Sequence, residues 1–65
     1  MNYADLIKKL RDKLILTQTE LANLLNVSFS SINRWENGHY EPTTKAKRKI
    51  VQLCKQNDID VEGAK

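Results

Sequence analysis

Apolar residues recur every three or four positions in four stretches of the chain, and nowhere do apolar and polar residues alternate with the period of a strand. The pattern predicts an all-α protein. In the first stretch Tyr3, Leu6, Ile7, Leu10 and Leu14 fall on one stripe, while Asp5, Lys8, Lys9, Asp12 and Lys13 face away. A helix over Asn2 to Leu14 is expected. Thr17 followed by Glu20 has the spacing of a capping box, in which side chain and backbone satisfy each other's orphan amides, and Leu16 with Leu21 supplies a hydrophobic staple. The helix they start is short, burying Leu21, Ala22, Leu24 and Leu25 before Asn26, a residue that tolerates the left-handed backbone of a sharp turn.

The signal then repeats. Ser28 can cap a third helix stapled by Val27 and Ile32, and Glu36, Asn37 and Gly38 end it, with Gly38 in the helix-stopping position. Glu41-Pro42 breaks the chain again. Thr43 or Thr44 can start a fourth helix running to Gln56, with Ala46, Ile50, Leu53 and Cys54 inside and an outer face that is almost entirely Lys and Arg. The tail from Asn57 to Lys65 is short and acidic, although Ile59 and Val61 can tuck against the core. The expected organisation is one domain over residues 1–57, with a two-helix motif at 17–37, and a tail over 58–65.

A chain of 65 residues holds one small domain, and so short a chain buries only about 60% of the surface it exposes when unfolded. Stability must come from efficient helix packing, because Cys54 has no partner for a disulfide and one histidine with one cysteine cannot make a structural zinc site. No metal or cofactor is expected. The longest aliphatic run is Leu14, Ile15 and Leu16, far short of the ~20 apolar residues that span a bilayer, and the N-terminus lacks a signal-peptide core. A soluble, cytoplasmic protein with no membrane partner is expected. The formal charge of +3 is a weak pointer to an anionic partner, but the positive residues concentrate in the first and last helical segments.

Two short capped helices joined by a tight turn are the elements of a helix-turn-helix, which lays its second helix in the major groove of double-stranded DNA. Facing arithmetic agrees. At ~100° per residue, Phe29, Ser30, Asn33 and Arg34 fall within a sector of about 140°, and Ile32 and Trp35 point the other way. One face is available to read bases while the other is buried.

The stretch from Leu16 to Gly38, LTQTELANLLNVSFSSINRWENG, resembles the helix-turn-helix of the Cro and phage-repressor-like family, also called the XRE family, and the likeness extends over residues 3–54. The resemblance implies a compact, lambda-repressor-like fold of four helices. A fifth often follows in the family, so the resemblance implies four helices or five, and a full-length fifth is not expected here. Gln18 would open the positioning helix, Ala22 would be the small residue where the two helices touch, and Asn26 would occupy the turn. Val27, Ile32 and Trp35 would be core positions, and Arg11 would pair with Glu36. Asn26 and Ile15 both stand where the family favours glycine. Because a β-branched residue resists positive φ, the loop before the second helix is expected to depart from the family geometry.

The resemblance further implies base contacts from Phe29, Ser30 and Arg34, with Asn33 on the same face. Arg34 can fork onto the edge of guanine, Phe29 can pack against a thymine methyl group, and Ser30 can donate or accept. Phosphate contacts would come from Gln18, Ser28, Asn37 and His39, which fix register without reading sequence. Each has a plainer reading. Phe29 could be a surface aromatic that meets a protein, and the run Lys45, Lys47, Arg48, Lys49 is by default a solvated helix face, with DNA-backbone contact the alternative. Trp35, Tyr3 and Cys54 read as packing residues, and His39 is too isolated for a metal ligand or general base.

The expected function is sequence-specific binding of double-stranded DNA by a repressor-type transcriptional regulator that reads the major groove with residues 28–37. Pairing of two copies on a palindromic site would enlarge its small DNA footprint. The competing reading is an antitoxin-like or accessory module that grips a protein through the same fold, or the DNA-binding portion of a larger protein. No nucleophile-base pair, phosphate-cradling glycine loop or metal cluster argues for an enzyme.

Overall fold

A computed structural model describes residues 2–61. Four helices form: α1 (Tyr3–Leu14), α2 (Gln18–Leu25), α3 (Phe29–Glu36) and α4 (Thr44–Gln56). Each starts on a side-chain cap. Oxygens of Asn2, Thr17, Ser28 and Thr43 accept the amide protons of Asp5 (2.9 Å), Glu20 (3.1 Å), Ser31 (3.1 Å) and Ala46 (3.2 Å), satisfying donors that no preceding turn can reach. Asn2 is therefore the cap of α1 rather than its first residue, and Thr43, not Thr44, caps α4.

The four helices also share one way of ending. After α1, the amides of Ile15 and Leu16 reach back to the carbonyls of Asp12 and Arg11; after α2, those of Asn26 and Val27 reach Asn23 and Ala22. Gly38 and His39 do the same to Trp35 and Arg34, and Asp58 and Ile59 to Lys55 and Cys54. This crossed pair of bonds is the Schellman closure, and it requires a left-handed residue at each site. Ile15, Asn26, Gly38 and Asp58 supply it, with φ of 55°, 59°, 76° and 60°.

Ile15 thus overturns the expectation of a divergent loop. Although β-branched, it adopts the left-handed geometry a glycine would have taken, because two backbone bonds hold it there and outweigh the local crowding of its Cβ, while its side chain, 88% exposed, meets no tertiary obstacle.

The core lies where α1 packs on α3 and α4, and α2 on α3 and α4. Leu6, Ile7, Leu10, Leu21, Ile32, Ile50 and Cys54 are fully buried, with Tyr3, Ala22, Leu25, Trp35 and Ala46 nearly so. Burying one such large aliphatic side chain contributes about 1.5–3 kcal/mol against the conformational entropy lost on folding. Leu16 and Val27, the outer halves of the two staples, pack against this core, as do Leu53, Ile59 and Val61. Residues 62–65 of the expected tail lie outside the described residues.

Leu24 departs from expectation. It is 43% exposed, because the α2 stripe is centred on Leu21, Ala22 and Leu25 and, among the described residues, no element covers the edge where Leu24 sits. Among the described residues no helix is long and apolar enough to cross a membrane, and no group of His, Cys, Asp and Glu side chains could hold a metal ion.

Candidate nucleic-acid interface

The site is built on α2 and α3. The Thr17 and Ser28 caps fix the start of each helix, and the left-handed Asn26 turns the chain between them within three residues. Ile32 and Trp35 then anchor α3 by its inner face, with exposures of 0% and 7%. The outer face must point to solvent. Ser30, Asn33 and Arg34 are exposed there, and Phe29 is half-exposed, so the four side chains proposed for base contact share one open surface.

A polar network fixes this surface to α1. The Arg11 guanidinium grips the Glu36 carboxylate with two parallel bonds, Nε to Oε2 at 2.6 Å and Nη2 to Oε1 at 3.0 Å. Its Nη1 donates to the carbonyl of Leu16 at 3.3 Å, tying in the loop before α2. Glu36 is buried, and the hydrogen-bonded carboxylate raises the Arg11 pKa above its ordinary value against the opposing effect of desolvation.

Gln18 joins the same network, donating from Nε2 to Glu36 Oε1 at 3.2 Å. That contact was not anticipated from sequence. An amide nitrogen carries two protons, so the bond to Glu36 leaves one for another acceptor. The other residues expected at phosphates lie around the rim of the face. Ser28 Oγ is shared with Ser31 Oγ at 2.9 Å, Asn37 Nδ2 donates to Asn33 Oδ1 at 3.5 Å, and His39 is exposed in the loop after α3.

Tyr40 was also missed. Its ring lies beneath the Arg34 guanidinium, 5.6 Å from Cζ to the ring centroid, and it is 63% exposed. No periodicity signals this contact. The Schellman closure at Gly38 makes it, by turning the chain back on the last turn of α3.

The basic run of α4 divides between two grooves. Lys45 and Lys49 border one with Leu25, Asn26 and Val27, beside the motif's turn. Lys47 and Arg48 border another with Tyr3 and Val51, and Lys47 is occupied there, 3.2 Å from Glu41 Oε2 and 5.1 Å above the Tyr3 ring.

The arrangement is that of a DNA-binding helix-turn-helix. A helix-turn-helix family model of the Cro/C1 type matches residues 7–59, and the chain belongs to that family, also known as the XRE family. Its members are DNA-binding transcriptional regulators, and this chain is one by fold and motif. Neither a curated protein sequence nor a solved structure gives a significant match.

Proposed function

We propose that the protein is a sequence-specific, repressor-type regulator that reads the major groove of double-stranded DNA with α3. The observation that carries this reading is the division of α3 into a buried face, Ile32 and Trp35, and an open one made of Phe29, Ser30, Asn33 and Arg34. An α-helix fits the major groove, where each base pair presents a distinct pattern of donors and acceptors. Arg34 forks onto guanine, Phe29 contacts a thymine methyl group, and Ser30 and Asn33 complete the set.

Phosphates are held from the rim. Gln18 offers its remaining amide proton together with the backbone N–H groups of Gln18 and Thr19, the ones in the first turn of α2 that the Thr17 cap does not take. Ser28, Asn37 and His39 grip the backbone around α3, and Lys45 and Lys49 add charge beside the turn. Bound copies pair on a palindromic site, since one unit of this size covers little DNA.

Selection from random duplexes, read for motif and symmetry, is the test. A motif is expected in which Arg34→Ala relaxes preference at one base pair, whereas Gln18→Ala weakens all duplexes alike. Affinity should also fall steeply as salt rises. Failure to enrich any motif, with a protein recovered in stoichiometric complex, would overturn the reading in favour of a protein-binding module.

A further inference from the structure

Arg34 is a long, exposed side chain, and such a group samples many rotamers unless something holds it. Here something does. The closure of α3 brings Gly38 N–H to the carbonyl of Trp35 (3.2 Å) and His39 N–H to that of Arg34 (3.3 Å), so the chain reverses over the residue that carries the guanidinium. Gly38 makes the reversal with φ of 76°, and beyond it Tyr40 is delivered against Arg34. The far side of this loop is anchored twice, by the Glu41 carboxylate on Lys47 and by the buried Pro42. Tyr40 is therefore an aromatic residue kept at the surface by a braced loop, with one ring face turned to a cation.

We propose that Tyr40 is a specificity-determining positioning residue, whose ring holds the Arg34 guanidinium ready to read a base. The proposal rests on the reading of Arg34 as a base contact. The attraction acts between the cation's charge and the ring, so the contact leaves the guanidinium's N–H donors for the two acceptors of guanine. Holding the side chain in place before DNA arrives reduces the conformational freedom lost on binding, and only the base pair under Arg34 benefits.

The experiment compares the protein with Arg34→Ala, Tyr40→Ala, Tyr40→Phe and the Arg34→Ala/Tyr40→Ala double variant, on the best selected duplex and its single-base-pair substitutions. Arg34→Ala should abolish preference at one pair. Tyr40→Ala should reduce preference at that same pair by about two- to five-fold, the range of an exposed cation-ring contact, and leave the other positions unchanged. Tyr40→Phe keeps the ring and should keep the preference, and Tyr40→Ala should add nothing at that pair once Arg34 is gone. In the free protein, the Arg34 side-chain proton resonances should carry a ring-current shift that Tyr40→Ala removes and Tyr40→Phe retains. An equal loss on every duplex, with or without Arg34, would overturn the proposal and make Tyr40 a backbone contact. An Arg34→Ala variant that keeps every base preference would overturn both the proposal and the reading beneath it, and that arm separates the two failures.

Discussion

The Arg11 guanidinium and the Glu36 carboxylate meet side by side across the α1–α3 interface, at 2.6 and 3.0 Å, and Gln18 from α2 shares one of the carboxylate oxygens at 3.2 Å. Three helices thus converge on one buried acid at the end of α3. Removing Arg11 leaves that charge with one neutral donor. For an interior pair the cost is about 3–5 kcal/mol, and because Arg11 keeps 27% of its side-chain exposure, about 2–3 kcal/mol is expected for Arg11→Met. Replacing both partners, as Arg11→Met with Glu36→Leu, removes the stranded charge and should recover much of the loss. Denaturant unfolding of the two variants and the parent checks this; a double variant no more stable than Arg11→Met would show that the pair's geometry, not its desolvation, decides.

At Ile15 the expected change is a gain. A left-handed L-residue costs about 1–2 kcal/mol, while glycine in its place returns about 0.5–1 kcal/mol of that through its greater freedom when unfolded. The side chain is 88% exposed, so no core contact is given up. Ile15→Gly should therefore stabilise the domain by roughly 0.5–1 kcal/mol, a rise of about 2–8 °C in Tm for a domain of this size. Ile15→Asn should gain less, following the residue that already serves at Asn26. A fall in Tm for both would mean that Ile15 makes a contact the closure depends on.

Caps and stripes were legible in the sequence because both are local: Thr17 with Glu20, Ser28 before Phe29, and the three-four spacing of Leu6, Leu10 and Ile32 with Trp35 each need only a turn or two of chain. What failed was of another kind. Leu24 belongs to a short helix whose apolar edge is recognisable, but whether anything covers that edge depends on elements distant in sequence. Ile15 was misjudged because residue preference for a backbone region is weak beside two hydrogen bonds that demand it. Gln18 on Glu36 and Arg34 on Tyr40 join residues whose proximity is created by the tertiary fold and by a helix closure, and no hydrophobic period encodes either.

The capping box of α2 makes a prediction about pH. Thr17 N–H donates to Glu20 Oε1 at 2.9 Å while Glu20 N–H donates to Thr17 Oγ1 at 3.1 Å, and hydrogen bonding to the carboxylate from the Thr17 backbone, then from its side chain, favours the ionised form and holds the Glu20 pKa below its usual value. A group depressed on folding stabilises the fold fully above its unfolded pKa, about 4.3, and loses that contribution as pH falls through the lower folded value. Glu20→Gln keeps an oxygen acceptor but does not titrate. It should melt below the parent at pH 6, with the gap narrowing as the pH is taken down to about 3. Melting curves of both proteins at several pH values decide it, and a gap that stays constant would show that the charge of Glu20 contributes nothing to the cap.

Cys54 offers an independent reading of the whole domain. It is fully buried on the inner face of α4, and burial raises the thiol's pKa, so both access and ionisation oppose its alkylation in the native state. Labelling by iodoacetamide at pH 8 must then pass through an opened form. If that form is the globally unfolded chain, the native protein should react about a thousand-fold more slowly than the same chain in denaturant, as expected for a stability of roughly 4 kcal/mol in a small domain. Variants should move the rate with their stability: Arg11→Met faster by about 30-fold or more, Ile15→Gly slower by about two- to five-fold. Cys54 lies only two residues from the last residue of α4, Gln56, so local fraying is the rival route. Fraying would leave the labelling rate out of step with the stability changes at Arg11 and Ile15, while the amides of Leu53 to Gln56 exchanged at the same rapid pace as the thiol reacted.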